Sequence, residues 1–525
     1  MQSPQSGASA QNSTAKSEEL PETAAATETT IPCTAGCSQG SPVDRAPHEE
    51  RGSRARILLA LALAIPILML ALRIFGHGDL HRKDQPRTVS YTADIVANGH
   101  WLLPYDCEGV PTQKPPVYNW LGAPLLRYLP PEEWVLKLPT IASFFAILGM
   151  LWAFTRRQLG ALPAGFAVAA FSINTSVFVL AYTARPDMLL SAWILGALLL
   201  VLHEQPGVRH WRFFLAWVLV ACAALTKGPA ALLVPCFILA RAALIPNFRR
   251  HWALRLLAPG LLLSAVLVAA WAVPAWNAYP ASARASLVAA EQARVGGHWF
   301  REFVTGMWKM PFYFVARFLP WSIAVVWALI RWRKMNLPDS VRTALLWIGL
   351  VIVFFTFPAM KRDDYLLPAL PMAAFVAAWF TCEVARRFPQ AQAVAVASAI
   401  ACLLGRSAYE LTLRNAPKDR HGDAQVAFAH QILKSTHGEK IAFVHTGYHA
   451  LQALLGHNQA AVTPSRTQWE AASWVVMQVP QKPGLPPPLI VSDSIPQVIR
   501  RSIPATLGLW RKSDLTAQGW APEKL

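Results

Sequence analysis

The chain has 525 residues, of which 54% are hydrophobic and only 15% charged, a balance that excludes an ordinary soluble domain. Its formal net charge of +18 does not point to nucleic acid, because the basic residues stand at the ends of apolar runs rather than along one soluble face. The seven cysteines are scattered and imply no disulfide framework.

Residues 1–50 are rich in Ser, Thr, Ala, Pro and Glu without apolar periodicity, and read as a disordered cytoplasmic tail that cannot offset the entropy of ordering. Arg51, Arg54 and Arg56 precede an apolar run over 57–75 that is too long and too deep in the chain for a cleaved signal. It is expected to be a retained anchor with its basic flank inside. A span needs roughly 20 apolar residues, and about eleven such runs follow one another, at 57–75, 136–154, 163–182, 188–203, 211–226, 229–245, 254–275, 316–331, 343–359, 364–382 and 390–404. Arg156 with Arg157, Arg209 with Arg212, Arg249 with Arg250, Arg331 with Arg333 and Lys334, and Arg386 with Arg387 all follow even-numbered spans. Those ends are therefore assigned to the cytoplasm.

The transmembrane domain is expected to cover 51–405, with long outer loops at 76–135 and 277–315. Within the first, Thr88–Asn98 reads as a short amphipathic helix and Val117–Leu129 as an apolar segment with Trp120 and Tyr128, the kind that lies in the interface. The second mixes Trp299, Trp308 and Tyr313 with Arg294, Arg301 and Lys309, as expected beside head groups. Residues 406–525 turn soluble in composition. Asp423–Ser435 is a helix candidate there, Lys440–His445 and Leu489–Val491 are strand candidates, and Pro480–Pro488 is a loop. An odd number of spans places this small α/β domain outside. No P-loop, dinucleotide fingerprint or HExxH helix is present.

The topology makes one set of polar groups meet on the outer side: Asp84, Arg87 and Lys114 after the first span, Arg185 and Asp187 after the third, Lys227 after the fifth, Arg294 after the seventh, and Lys361, Arg362, Asp363 and Asp364 after the ninth. Ionisable groups at the hydrocarbon boundary are costly and face water or a partner, so a shared cavity is expected. A few carboxylates among several cations suit transfer of a sugar from a membrane-held polyprenyl phosphate: cations hold the phosphate and its developing charge, and a carboxylate takes the proton of the attacking hydroxyl. Each residue also has a bland reading. Asp84 could be a solvated loop charge, Asp187 a helix N-terminal carboxylate facing the macrodipole, and Lys114, Lys227 and Lys361 snorkelling anchors.

The stretch from Asp84 to Gly160 resembles the polyprenyl-phosphate-dependent glycosyltransferases, which include the protein O-mannosyltransferases and the bacterial undecaprenyl-phosphate aminoarabinose transferases. The residues that carry this are Asp84-Gln85, the helix after it, Gly99-His100-Trp101, Gln113-Lys114-Pro115, Trp134 to Pro139 and Arg156 to Gly160. Thr226-Lys227-Gly228-Pro229, Phe318 to Trp321 and Lys361 through Pro368 resemble later landmarks. The resemblance implies a polytopic α-helical fold of the GT-C type with a periplasmic C-terminal domain, in a bacterial inner membrane. It implies Asp84 as the essential carboxylate, Asp187 as a second one, Lys114 as a phosphate contact and Arg294 as another, and an inverting transfer from a polyprenyl-phosphate sugar to a lipid such as lipid A, a glycan or a protein. Where the family carries Glu after Asp84 and Glu before Lys114, this chain has Gln85 and Gln113. Gln113 stands at a position that resembles a metal contact, and an amide offers a cation no charge, so a divalent metal there is expected to bind weakly. Two competing readings are a lipid-linked sugar flippase and a family member that binds the lipid without turnover.

Overall fold

A computed structural model describes residues 42–202, 211–244, 250–285, 288–289, 299–332, 336–358, 361–412, 421–445, 447–459, 461–480, 484–493, 495 and 505–522. The chain divides into two units, Met1–Gly52 and Ser53–Leu525. In the first, residues 42–52 are helical; the tail expected at 1–50 otherwise lies outside the described residues, as do Arg209, Arg249, Arg294, Arg333 and Lys334.

The second unit is mostly helical. In chain order come α1 (Pro42–Ile74), α2 (Gln85–Asn98), α3 (Val117–Tyr128), α4 (Glu133–Leu159), α5 (Ala161–Ser172), α6 (Thr175–Leu180), α7 (Asp187–Leu202), α8 (Trp211–Lys227), α9 (Leu233–Leu244) and α10 (Arg250–Ala278), followed by helices Trp299–Gly306, Lys309–Arg317, Ser322–Arg331, Asp339–Thr356, Leu370–Ala385 and Ala391–Thr412. Among the described residues, seven helical stretches are long and apolar enough to cross a membrane, and Ala161–Ser172, Asp187–Leu202 and Ser322–Arg331 are shorter apolar helices. The expected spans at 211–226 and 229–245 fall within one of the seven, Trp211–Leu244, which is interrupted at Gly228 by a 3-10 turn, Gly228–Leu232. Over their described residues the expected runs are largely helical, but not every run is a simple span.

The run at 163–182 is the clearest departure, because a hydrogen-bonding side chain splits it. Asn174 caps α6 by accepting from the amides of Ser176 and Val177 at 2.9 and 3.3 Å, and its own amide donates to the Arg317 carbonyl at 2.8 Å. The helix over 322–331 likewise begins six residues later than expected, after the Phe318–Trp321 landmark.

Packing follows the pattern of a membrane protein. Trp217, Trp347, Phe144, Phe171, Phe237, Phe318 and Phe375 are fully buried between helices, while Ile67, Leu68, Phe214, Leu262, Ile323 and Ile330 point outward, the arrangement expected where lipid replaces water. α7 lies along α8 and α4, and Leu370–Ala385 packs on α5. Two groups of charges are held among these helices. Arg73 at the end of α1 donates to Asp79 at 2.6 Å, Lys137 of α4 reaches Asp79 at 2.5 Å and also pairs with Glu133, and the Lys137 ammonium lies 4.0 Å above the Tyr182 ring. Lys137 is fully buried, and this quartet ties α1 to α4. The second group is the candidate site.

The described residues between 421 and 522 carry helices and a small sheet. Helix His421–Thr436 and strand β1 (Ile441–Val444) coincide with the expected ones, and β3 (Ile490–Val491) with the third. β2 (Trp474–Gln478) and β4 (Leu507–Arg511) complete a sheet in the order β1-β2-β4-β3, with β1 and β2 parallel and the other pairs antiparallel. The short helix His449–Leu454 packs on α2. Asn458 fastens that contact, accepting from Ser90 at 3.1 Å and donating to Asp94 at 2.9 Å and to the Tyr105 carbonyl at 3.0 Å.

Candidate active site

Asp84 stands at the N-cap of α2, a position where an aspartate ordinarily accepts from the first helical amides. Its side chain makes no such bond. Lys83 before it has a left-handed backbone, φ 54°, and the Asp84 carboxylate instead accepts from the Lys114 ammonium at 3.2 Å. A cap forgone for a half-exposed ion pair (side chains 50% and 42% exposed) indicates that the carboxylate is held for something other than the helix. Lys114 is set by its own turn: Thr112 Oγ1 donates to the Lys114 carbonyl at 3.0 Å and accepts from its amide at 3.3 Å, and the Tyr279 hydroxyl holds the Thr112 carbonyl.

Asp187 opens α7 and is buried. Lys227, at the end of α8, pairs with one of its oxygens and Arg185 with the other at 3.1 Å. Arg185 also donates to Asp364 at 2.9 Å, and Asp364 takes Arg362 at 3.1 Å and Lys83 at 3.9 Å. The Lys227 ammonium lies 5.0 Å above the Tyr365 ring, within range of a cation–π contact. Gly228 follows with φ +68°, a conformation open to glycine and strained for other residues, and it ends α8 at the lysine. The 3-10 turn Asp363–Ala369 that carries Asp364 is fixed from behind by Trp347, whose indole donates to the Pro368 carbonyl at 2.9 Å.

The charges act on one another as a single cluster. Burial opposes ionisation of Asp84, but Lys114, then Arg185 and Arg362, outweigh it and hold the carboxyl below the usual value of 3.8. Burial works the other way on Lys114, lowering its ammonium below the usual 10.5, with Lys227 adding to the effect and Asp84 and Asp187 opposing it. Arg185 is also penalised by burial, yet Asp187 and Asp364 raise it above its ordinary value. Counting the paired groups, Lys83, Lys114, Arg185, Lys227 and Arg362 face Asp84, Asp187 and Asp364. Among the described residues of these pairs, five cations against three carboxylates leave a surplus of two positive charges.

The structure brings together Asp84, Lys114, Asp187 and Lys227, which were expected to share one cavity, joined by Arg185, Arg362 and Asp364. Arg87 is not in the cluster. Its Nε faces Asp106 at 3.6 Å, because the loop after α2 folds back, with Tyr105 bridging Pro111, and presents Asp106 to it. Lys361 donates to the Pro358 carbonyl at 3.2 Å, and its stem lies 3.0 Å from where a Cβ on Gly306 would be. Arg294 lies outside the described residues. Lys83 and Tyr365 were not singled out from sequence; their signal was adjacency to Asp84 and Asp364.

The two glutamines differ. Gln85 is buried and structural: its amide donates to the Asp79 carbonyl at 2.7 Å and its oxygen accepts from the Ala184 amide at 2.8 Å, a donor-and-acceptor pattern that a carboxylate cannot supply. Gln113 is exposed and offers a cation only a neutral amide oxygen.

Comparison with known proteins bears on the family and the fold. Residues 113–276 match the family model for dolichyl-phosphate-mannose-protein mannosyltransferase. An undecaprenyl phosphate-alpha-4-amino-4-deoxy-L-arabinose arabinosyl transferase of Shewanella sediminis is 23% identical over 339 residues, covering 62% of this chain and 60% of the relative. The chain resembles the polyprenyl-phosphate-dependent glycosyltransferases in sequence and in fold. An uncharacterized protein of Aquifex aeolicus is 24% identical over 336 residues, 61% of this chain and 63% of that one, so the chain spans about 60% of the length of such curated relatives. The fold is also that of ArnT from Cupriavidus metallidurans bound to undecaprenyl phosphate, with a TM-score of 0.59 at 19% identity, covering 87% of this chain and 98% of that one.

Proposed function

We propose that this protein is a membrane glycosyltransferase that moves a sugar from a polyprenyl phosphate to an acceptor hydroxyl on the outer face of a bacterial inner membrane. The surplus of two positive charges in the paired groups around Asp84, Asp187 and Asp364 is the observation that carries this reading. A neutral cluster would only hold helices together. A cationic one at the membrane edge suits a phosphodiester donor and, still better, the phosphate that leaves it, since charge grows on that group as the bond to the sugar breaks. Relatives named for undecaprenyl phosphate substrates support the choice of donor.

In this reading the acceptor oxygen attacks the anomeric carbon from the face opposite the phosphate. The carbon–oxygen bond to the phosphate breaks with its electron pair going to the phosphate oxygen, the hydroxyl proton passes to Asp84, and the anomeric centre inverts. Lys114 and Lys227 contact the phosphate, whose arrival frees the Asp84 carboxylate from the Lys114 ammonium just when a base is needed. Asp187, buried under Arg185 and Lys227, is a positioning residue. The acceptor, whether lipid A, another glycan or a protein, is to be recognised by the outer loops and the α/β domain.

The test is a proteoliposome assay with labelled polyprenyl-phosphate sugar and extracted envelope lipids and proteins. Formation of a new glycosidic bond that depends on the protein supports the proposal. Label relocated across the bilayer with no new bond would make the protein a flippase, and label bound without either outcome would make it a lipid-binding relative without turnover.

A further inference from the structure

A second group of ligating side chains lies away from the ion cluster, where the first outer loop meets the α/β domain. Asp106, Glu108 and His449 each offer a ligand atom within 4.8 Å of the others. The Asp106 and His449 side chains are completely buried. Asp106 Oδ1 is used, accepting from the amides of Glu108 at 3.0 Å and Val110 at 2.9 Å. Its Oδ2 has no hydrogen-bond partner among the described residues, and neither has Nε2 of His449, 3.5 Å away. Neither buried atom is hydrogen-bonded: among the described residues Asp106 Oδ2 has only the long contacts to His449 Nε2 at 3.5 Å and to Arg87 Nε at 3.6 Å, and a buried polar atom left without a hydrogen bond costs stability.

The chemistry of His449 narrows what would relieve that cost. Its Nδ1 lies 2.8 Å from the Gly447 carbonyl, which can only accept, so Nδ1 carries the proton and Nε2 of the neutral ring presents a lone pair. This is how a backbone carbonyl orients a metal-bound imidazole. Gly447 also leaves room for Glu108, whose Oε1 would stand 2.7 Å from a Cβ there. We propose that Asp106, Glu108 and His449 bind a divalent transition cation of the zinc type, one imidazole nitrogen and two carboxylate oxygens with water completing the shell. Bonds of roughly 2.0–2.2 Å keep such ligands no more than about 4.2 Å apart, so the group closes slightly on the ion, with the partly exposed Glu108 doing most of the moving. Arg87, 3.6 Å from Asp106 Oδ2 and half-exposed, swings outward as the ion takes its place. The cation clamps the loop that leads to Lys114 onto the α/β domain.

Full-length protein in detergent, stripped with a chelator and titrated with Zn2+, tests this without reference to sugar transfer. Wild type is expected to take up one equivalent and to gain melting temperature, and Co2+ to give a visible absorption that Zn2+ abolishes. Glu108→Gln, a conservative change at a partly exposed residue, and His449→Gln should each weaken binding at least tenfold, with the gain in melting temperature lost. Gln113→Ala should bind as wild type does. No stoichiometric uptake by wild type, uptake unchanged in Glu108→Gln, or uptake lost in Gln113→Ala would each overturn the proposal; the first would leave His449 and Asp106 as a plain buried ion pair.

Discussion

The ion cluster around Asp84 and the quartet of Arg73, Asp79, Lys137 and Glu133 use the same chemical groups to opposite ends. The quartet balances two cations against two carboxylates, with Lys137 fully buried and its ammonium also over the Tyr182 ring. The Asp84 cluster carries more cations than carboxylates, keeps Asp84 and Lys114 half-exposed, and spends an N-cap aspartate without capping the helix. Charge balance and exposure, more than residue type, separate a structural ion network from a binding site.

The largest effect expected from this contrast is on turnover. Asp84→Asn removes a base and should lower sugar transfer by about 10²–10⁴-fold while leaving the melting temperature near that of wild type; wild-type rates in that variant would place the base elsewhere. Lys137→Met should do the reverse. Removing one partner of a buried pair costs about 3–5 kcal/mol, so folded yield and melting temperature should fall while transfer per folded molecule persists. A smaller test is Gln85→Glu, which exchanges the donor to the Asp79 carbonyl for a buried carboxylate. A loss of about 1–3 kcal/mol is expected, read by thermal melting, and a stabilised variant would show that the amide is not structural.

The pH dependence of transfer sharpens the same comparison. Burial lowers the Lys114 ammonium below 10.5, so kcat/KM for the donor should begin to fall with rising pH sooner than an ordinary lysine would allow. Over that interval stability moves the opposite way, because the unfolded chain still holds the proton that folded Lys114 has released. Lys114→Arg, charged throughout, should remove this alkaline limb. On the acid side Asp84 stays ionised to below 3.8, so no loss of rate from that residue is expected between neutrality and pH 5.

Much of the site was legible because Asp84, Lys114, Asp187 and Lys227 are ionisable groups at or near the ends of apolar runs, where charge is costly and groups tend to share a polar cavity. Roles within the cluster were less legible. Arg185 and Asp364 were placed on the right face, but only side-chain geometry shows Arg185 bridging two carboxylates. Arg87 went astray because its neighbour is set by a fold-back of the loop, which no local pattern encodes. The break at Asn174 was hidden in an apolar run for the same reason, since its partner, the Arg317 carbonyl, is 143 residues away. In the α/β domain, β2 and β4 pair at the centre of the sheet and are buried on both faces except at their last residue. Short continuous apolar runs of that kind lack the alternation by which a strand announces itself.

The central claim is that the surplus charge around Lys114 and Lys227 receives a lipid-borne phosphate. A cryo-electron microscopy structure of the protein with undecaprenyl phosphate tests it most directly. The account predicts phosphate oxygens within about 2.7–2.9 Å of the Lys114 and Lys227 ammonium groups, with Asp84 released from Lys114. A phosphate bound elsewhere, with the Asp84–Lys114 pair undisturbed, would contradict it.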